Sequence, residues 1–422
     1  MYDLILVIFA VFYIPYAIFT GRMHRGIWQR LGYFPWRDLA SIIGERPIWV
    51  HAVSVGEVIA ARPLLRAIRE EFPKKRILLS CITKTGASVA RNIKDKDVFL
   101  FFPLDLYWIM KRFIRRINPS IFIMLETEIW PNAIQVLSER KTPILMVNGR
   151  ISDSSFKRYR FIRQFLNDSL RKVTSFCMQS REDARRIEYL GAPSDKVKVT
   201  GNLKFDCFVK HDRGIEASDL LSEAGLKDGE ELFIAGSTHK GEDELIIKVY
   251  KRLLENYPGL NLLIAPRHLG SLNEIETLVR ANGLKPIKFS EARSSSGDAP
   301  RTLLLDTMGQ LGRLYEIATL VFMGGSLVPH GGHNLLEPAS FSKPVLFGPH
   351  MSNFREMAKL FLDKEAAIMV KDEEELFAAA KRLLKDKDAA IEMGKRAADL
   401  IDEERGAAAR AVELIRSLLK EE

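Results

Sequence analysis

The stretch "PIWVHAVSVGE", Pro47 to Glu57, decides the fold. Its first half is a short, largely apolar run behind a proline, which reads as a buried strand. "SVGE" then makes a tight glycine turn into an amphipathic segment. Strand, turn and helix in that order open a doubly wound α/β sheet, where the helix N-terminus ordinarily cradles a phosphate. Here the turn ends in Glu57. The macrodipole stabilises a carboxylate at that position, but the carboxylate repels the phosphate such turns hold. Glu57 therefore needs a use other than nucleotide binding.

Working outward, the same alternation recurs. The apolar runs "RILLSC", "DVFLF", "SIFIML", "PILMV", "SFCMQ" and "KVKVT" follow in the first half, each separated by a helix-period stretch. Hydrophobicity drops around Lys210 to Asp219, a plausible linker. A second series then begins with "ELFIAG", "LNLLIAP", "TLLLD", "ATLVFMGG", "KPVLFGP" and "AAIMV". Strands alternating with helices predict parallel sheets. The expected organisation is an N-terminal segment, 1–21, and two Rossmann-like domains, 22–210 and 211–422, the second including the closing helices. Many sugar transferases use this arrangement, with substrates meeting in the cleft between domains. The polar stretch Phe289 to Arg301 reads as a mobile surface excursion.

Composition agrees with this reading. A chain of 422 residues is too long for one ordinary core and suits two α/β domains. Its three cysteines, Cys81, Cys177 and Cys207, have neither C-x-x-C nor C/H spacing. They imply no disulfide framework and no zinc site, and they fit a reducing compartment. The net charge of +9 is concentrated in the first half, at Arg22, Arg25 and Arg30, in "KRFIRR" (Lys111 to Arg116) and in "KRYRFIR" (Lys157 to Arg163). Any one cluster is an ordinary solvated helix face. Three of them behind an apolar N-terminus point to an anionic membrane surface. No nucleic-acid-binding motif accompanies the charge.

The N-terminal run Leu4 to Phe19 contains sixteen residues without a charge. That is borderline for a spanning helix, and Pro15 would kink one, so shallow insertion is the alternative. Asp3 in place of a positive n-region, and the lack of an A-x-A-like site, argue against a cleaved signal. The arginines that follow would retain the body on the cytoplasmic side. The expectation is an uncleaved membrane anchor.

In parallel sheets ligands sit beyond the C-terminal ends of the strands. In the second half that rim carries "AGSTHKGE" (Ala235 to Glu242), "APRH" with Arg267 and His268, "DTMGQL" (Asp306 to Leu311) and "GGSLVPHGGHNLLEP" (Gly324 to Pro338). Glycine turns and helix N-termini suit a nucleotide monophosphate, with Glu337 a ribose acceptor. His330, His333 and Glu337 lack the context of a metal site, and no D-x-D-like pair appears; metal-free chemistry is expected. In the first half "LETEIWPN" presents Glu126 and Glu128 at a strand end, and Lys204 lies in "GNLKFD". On residue type alone Glu126 could be a capping or ion-paired acid, and Lys204 an exposed linker lysine.

Taken in order after an apolar N-terminus, "HAVSVGE", "ETEIWPN", "TGNLKFD", "AGSTHKGE", "APRH", "DTMGQL" and "GGSLVPHGGHNLLEP" closely resemble the 3-deoxy-D-manno-octulosonic acid (Kdo) transferases of lipopolysaccharide synthesis. The resemblance runs over nearly the whole chain. It implies a GT-B fold, CMP-Kdo as donor, an inverting reaction without metal or other cofactor, and a lipid A precursor as acceptor at the cytoplasmic face of the inner membrane. It further implies Glu57 as catalytic base, with Glu126 and Lys204 stabilising the transition state. CMP would be held by Arg267 and His268, by Met308, Gly309 and Gln310, and by Asn334, Leu335, Leu336 and Glu337. Many family members carry glutamate where this chain has Gln310. The competing readings are a GT-B enzyme on another nucleotide sugar, such as a UDP-hexosamine transferase or epimerase, and a membrane-tethered nucleotide-binding module without turnover.

Overall fold

The computed structural model describes residues 26–207, 216–294 and 300–420, together with Tyr2, Asp3 and Leu6. The chain divides into two compact units, Met1–Cys207 with Glu404–Glu422, and Phe208–Glu403. The expected anchor lies outside the described residues except for Leu6. Among the described residues no helix is long and apolar enough to cross a membrane.

The first unit is built on seven parallel strands: β1 (Ile48–His51), β2 (Ile77–Cys81), β3 (Val98–Phe101), β4 (Ile121–Leu125), β5 (Ile144–Gly149), β6 (Ser175–Met178) and β7 (Val197–Val199). Their order is β3-β2-β1-β4-β5-β6-β7. The central strands are apolar on both faces because helices cover both. Trp49 packs among Phe102, Phe113 and Phe122 on one side. Ile48 and Val50 point to the other, against Val58, Leu64, Leu65 and Ile68. These last four lie on α1 (Val55–Glu71), whose buried residues recur at helical spacing. Pro63 inside α1 leaves the Ile59 carbonyl without its intrahelical donor, and the Cys207 thiol donates to it at 3.7 Å.

The last helix, Ala407–Lys420, belongs to this unit and not to the second, where the expected 211–422 domain had placed it. Ala407, Ala408, Ala411, Val412 and Ile415 join the cluster formed by α1 and the sheet. The Asp206 carboxylate accepts the Gly406 and Ala408 N–H groups at 2.6 and 2.7 Å, capping the helix. Arg416 pairs with Glu71 at 2.6 Å. Periodicity alone made this segment a closing helix but could not say which sheet it closes. In the segment that precedes β1, Phe34 is buried against Phe113 at 4.7 Å, whereas Trp28 is 60% exposed.

The second unit repeats the plan with β8 (Leu232–Thr238), β9 (Asn261–Pro266), β10 (Pro286–Lys288), β11 (Thr302–Leu304), β12 (Leu320–Met323), β13 (Val345–Phe347) and β14 (Ile368–Met369). The order is β10-β11-β9-β8-β12-β13-β14, again parallel. Six of these strands match the expected runs. The additional one, β10, is three residues of "PIK" at the sheet edge, too short and mixed to read as a strand. The stretch expected as a mobile excursion instead begins with a 3₁₀ turn, Phe289–Ser294, that buries Phe289 and Ala292. Ser290 ties it to Asp306 through its hydroxyl at 2.6 Å.

Candidate functional site

Each sheet reverses its winding direction once, between β1 and β4 in the first unit and between β8 and β12 in the second. Loops leaving such neighbouring strands diverge and open a crevice, the usual ligand position in these folds. All the candidate residues near a strand end fall on the rim that carries these switch points.

In the first unit, Ser54 caps α1 and its hydroxyl accepts the Glu57 N–H at 3.4 Å. The Glu57 carboxylate answers by accepting the Ser54 hydroxyl at 2.8 Å and the Val53 N–H at 2.6 Å, a capping-box pattern. These bonds fix the carboxylate at the switch point. Burial, and then the charge of Glu126, push its pKa up to about 7 against the two hydrogen bonds, leaving a base matched to neutral pH. Glu126 follows β4 directly and holds φ at +55°, with its N–H on the Val147 carbonyl at 3.0 Å. A side chain other than glycine in that region is strained. The turn continues through Glu128 to Pro131, the first residue of α2 (Pro131–Glu139).

Lys204 lies on a single helical turn, α3 (Leu203–Asp206). Asn148, itself at φ +60°, accepts the Leu203 N–H at 3.0 Å and so ties α3 to the end of β5. Burial holds the Lys204 ammonium below its usual pKa, opposed by Glu126 and Glu57. Glu57, Glu126 and Lys204 are thus within charge range of one another. The exposed-linker reading of Lys204 does not hold.

One residue of this crevice was named in the sequence reading without a role, and another escaped it. Glu128, half-buried, has its carboxyl pKa raised to about 8 by burial and by Glu57 and Glu126. His51 is fully buried, stacked on Phe102 at 3.9 Å, and burial pushes it down to about 3, so it is neutral. Histidine in an apolar run carries no signal of this kind. Glu128 carried one, since two acids spaced by two after a strand share its end.

In the second unit, α4 (Glu242–Leu254) starts at the corresponding turn. The fully buried Glu242 carboxylate accepts four N–H groups: His239 at 3.0 Å, Gly325 at 2.6 Å, and Ser326 and Leu327 each at 2.9 Å. It is the strut of the glycine loop after β12. Within that loop a Cβ on Gly324 would lie 2.6 Å from the Ser237 carbonyl oxygen, so only glycine admits this approach. Asp243 is bonded to the Thr238 hydroxyl at 2.6 Å.

Around the loop gather imidazoles. His239 and His333 meet Nε2 to Nε2 at 2.9 Å, and His239 stacks on His330 at 4.1 Å with His268 edge-on at 5.9 Å. Burial, with Arg267 and the neighbouring rings, pushes His333 down to about 4. Arg267 also faces Glu337, whose carboxyl is raised by burial. Among the described residues no group of three histidines, cysteines or acids is arranged to hold a metal ion.

The remaining expected contacts divide. Leu335 and Leu336 are fully buried, which leaves only their backbone for a ligand. Asn334 accepts the Leu336 N–H at 3.2 Å and reaches Glu337 at 3.4 Å. Met308 is 74% exposed, beside Gly309 at φ +80°. The Gln310 carbonyl accepts from Arg313 at 2.7 Å, and Arg313 is also forked onto Glu223. At this position the side chain is occupied by the protein itself.

Comparison with known proteins converges with this geometry. The family model described as 3-Deoxy-D-manno-octulosonic-acid transferase (kdotransferase) matches residues 25–207. The 3-deoxy-D-manno-octulosonic acid transferase of Haemophilus influenzae is 35% identical over 410 residues, 96% of this chain and 94% of that protein. That of Chlamydia muridarum is 32% identical, over 83% of this chain and 82% of its own. Among solved structures, UDP-GlcNAc 2-epimerase from Neisseria meningitidis superimposes with a TM-score of 0.62 over 89% of this chain and 100% of that one. Its 11% identity establishes a shared two-domain α/β fold of GT-B type and nothing more. With two Rossmann-like sheets and relatives of this identity along nearly its full length, the chain belongs to the 3-deoxy-D-manno-octulosonic acid transferase family.

Proposed function

We propose that this glycosyltransferase moves Kdo from CMP-Kdo to a lipid A precursor, lipid IVA, inverting the anomeric centre without a metal cofactor. The observation that carries the reading is Glu57: in a Kdo transferase family member, a buried carboxylate with a pKa near neutrality sits fixed at the switch point of the first unit. Glu57 takes the proton of an acceptor sugar hydroxyl as its oxygen attacks the anomeric carbon of Kdo. The bond to CMP breaks, and both electrons leave with its phosphate. Lys204 offsets the negative charge in the first unit. Arg267 and His268 receive the phosphate in the second. Met308, Gly309, Asn334 and Glu337, with the backbone of Gln310, Leu335 and Leu336, complete the nucleotide contacts.

The acceptor is a lipid, so the N-terminal apolar segment and the basic clusters are read as holding the protein at the cytoplasmic face of the inner membrane. Incubating the purified chain with CMP-Kdo and tetraacylated lipid A precursor in detergent, followed by mass spectrometry, tests the reading. A mass increase of one or more Kdo residues is expected; no adduct in any detergent would defeat it.

A further inference from the structure

Four imidazoles gather where β8, β9 and β12 end, and the proposed reaction uses only His268. His239 and His333 meet Nε2 to Nε2 at 2.9 Å. Two lone pairs cannot make that contact, nor can two N–H groups, so one proton lies between the rings and the pair carries at most one positive charge. His330 stacks on His239 at 4.1 Å, and His268 stands edge-on to it at 5.9 Å. Arg267 adds a fixed cation. Its backbone N–H is bonded to the Thr238 carbonyl at 2.9 Å, one residue before His239, and its exposed guanidinium makes no hydrogen bond or ion pair among the described residues.

The acids nearby are engaged elsewhere. Glu242, which acts on His239, accepts four N–H groups. Asp243 is bonded to the Thr238 hydroxyl at 2.6 Å, and Glu337, which faces Arg267, to Asn334 at 3.4 Å. Lys240 is paired with Glu274 at 2.6 Å. A positive ring in the pair would therefore stand against Arg267 and two further imidazoles with no carboxylate bonded to it. Burial first, then these neighbours, hold both His239 and His333 below the ordinary histidine pKa, so the pair is neutral near pH 7 in the free protein.

We propose that the His239–His333 pair is an anion site that charges on demand: neutral in the free protein, it takes one proton from solvent when a phosphate monoester binds beside it and Arg267, and returns that proton when the phosphate leaves. This rests on the function proposed above, in which the phosphate is that of CMP. The phosphate brings the negative charge that the cluster lacks, and an imidazolium gives it a charge-assisted hydrogen bond that a neutral ring does not. Charge supplied in this way suits a leaving group whose phosphate gains its second negative charge only as the bond to the sugar breaks. Because the bound state holds the extra proton, CMP affinity falls as pH rises, by up to about tenfold per unit.

The test is calorimetry of CMP binding to the full chain at pH about 7.5, where CMP has lost its own second proton, in buffers of different ionisation enthalpy. The buffer dependence of the heat is expected to report uptake of about half to one proton. His333→Asn, with an unchanged urea midpoint as evidence of folding, is expected to abolish the uptake and weaken CMP about tenfold, the loss shrinking as pH rises. A second measurement needs no variant: nitrogen-15 spectra of the histidine-labelled full chain should show both rings neutral without CMP and one cationic with it. CMP binding without proton uptake, uptake undiminished in His333→Asn, or a ring already cationic without CMP overturns the proposal. Proton-coupled CMP binding without Kdo transfer would defeat the proposed reaction and leave the pair's role standing; no CMP binding at any pH would overturn both.

Discussion

The two units place a glutamate at the same turn, where the first strand of each sheet enters its first helix, and use it in opposite ways. Glu57 receives one N–H and one hydroxyl, and burial leaves it nearly as willing to bind a proton as to release it. Glu242 receives four backbone N–H groups, three from the glycine loop across the switch point, and has no lone pair left for chemistry. The number of donors, and not the residue type or its place on the helix, separates a reactive acid from a structural one.

The largest effect that can break this comparison is at Glu57. Glu57→Gln keeps the shape and the cap but cannot take a proton, and we expect kcat to fall by about 10²–10⁴-fold with CMP affinity unchanged by calorimetry. Retained turnover would make Glu57 a capping residue only. Next is Glu242→Ala, which strands four N–H groups in a buried loop. It should cost about 3 kcal/mol or more in urea unfolding and weaken CMP binding through the loop, although the carboxylate need not touch the nucleotide. A smaller and graded effect is the acidic limb. Glu57 must be ionised, so kcat/KM should fall as pH drops below about 7, approaching tenfold per unit. Finally, Gln310→Glu should alter CMP affinity by no more than about twofold, because the side chain at that position bonds Arg313.

Much of this was legible in the sequence because the physics was local. Thirteen of the strands were apolar runs bounded by polar or glycine-rich turns, and the S-x-x-E of Ser54 to Glu57 encodes its own cap. What was hidden depends on neighbours distant in sequence. Glu242 ends a quoted small-residue turn, "AGSTHKGE", and nothing near it foretells the amides of Gly325 to Leu327. Leu335 and Leu336 sit inside a recognisable motif yet face the core. The gathering of Glu57, Glu126 and Glu128 at one rim arises only when β1 and β4 are paired, Val50 against Ile123.

The return of Ala407–Lys420 to the first sheet makes the second unit an insertion within the first. During synthesis the amino-terminal sheet therefore emerges early yet lacks one helix of a flanking layer until Ala407–Lys420 has been made, while the inserted unit has all of its own residues sooner. Truncation just before Ala407 would spare the second unit and uncover the outer surface of α1.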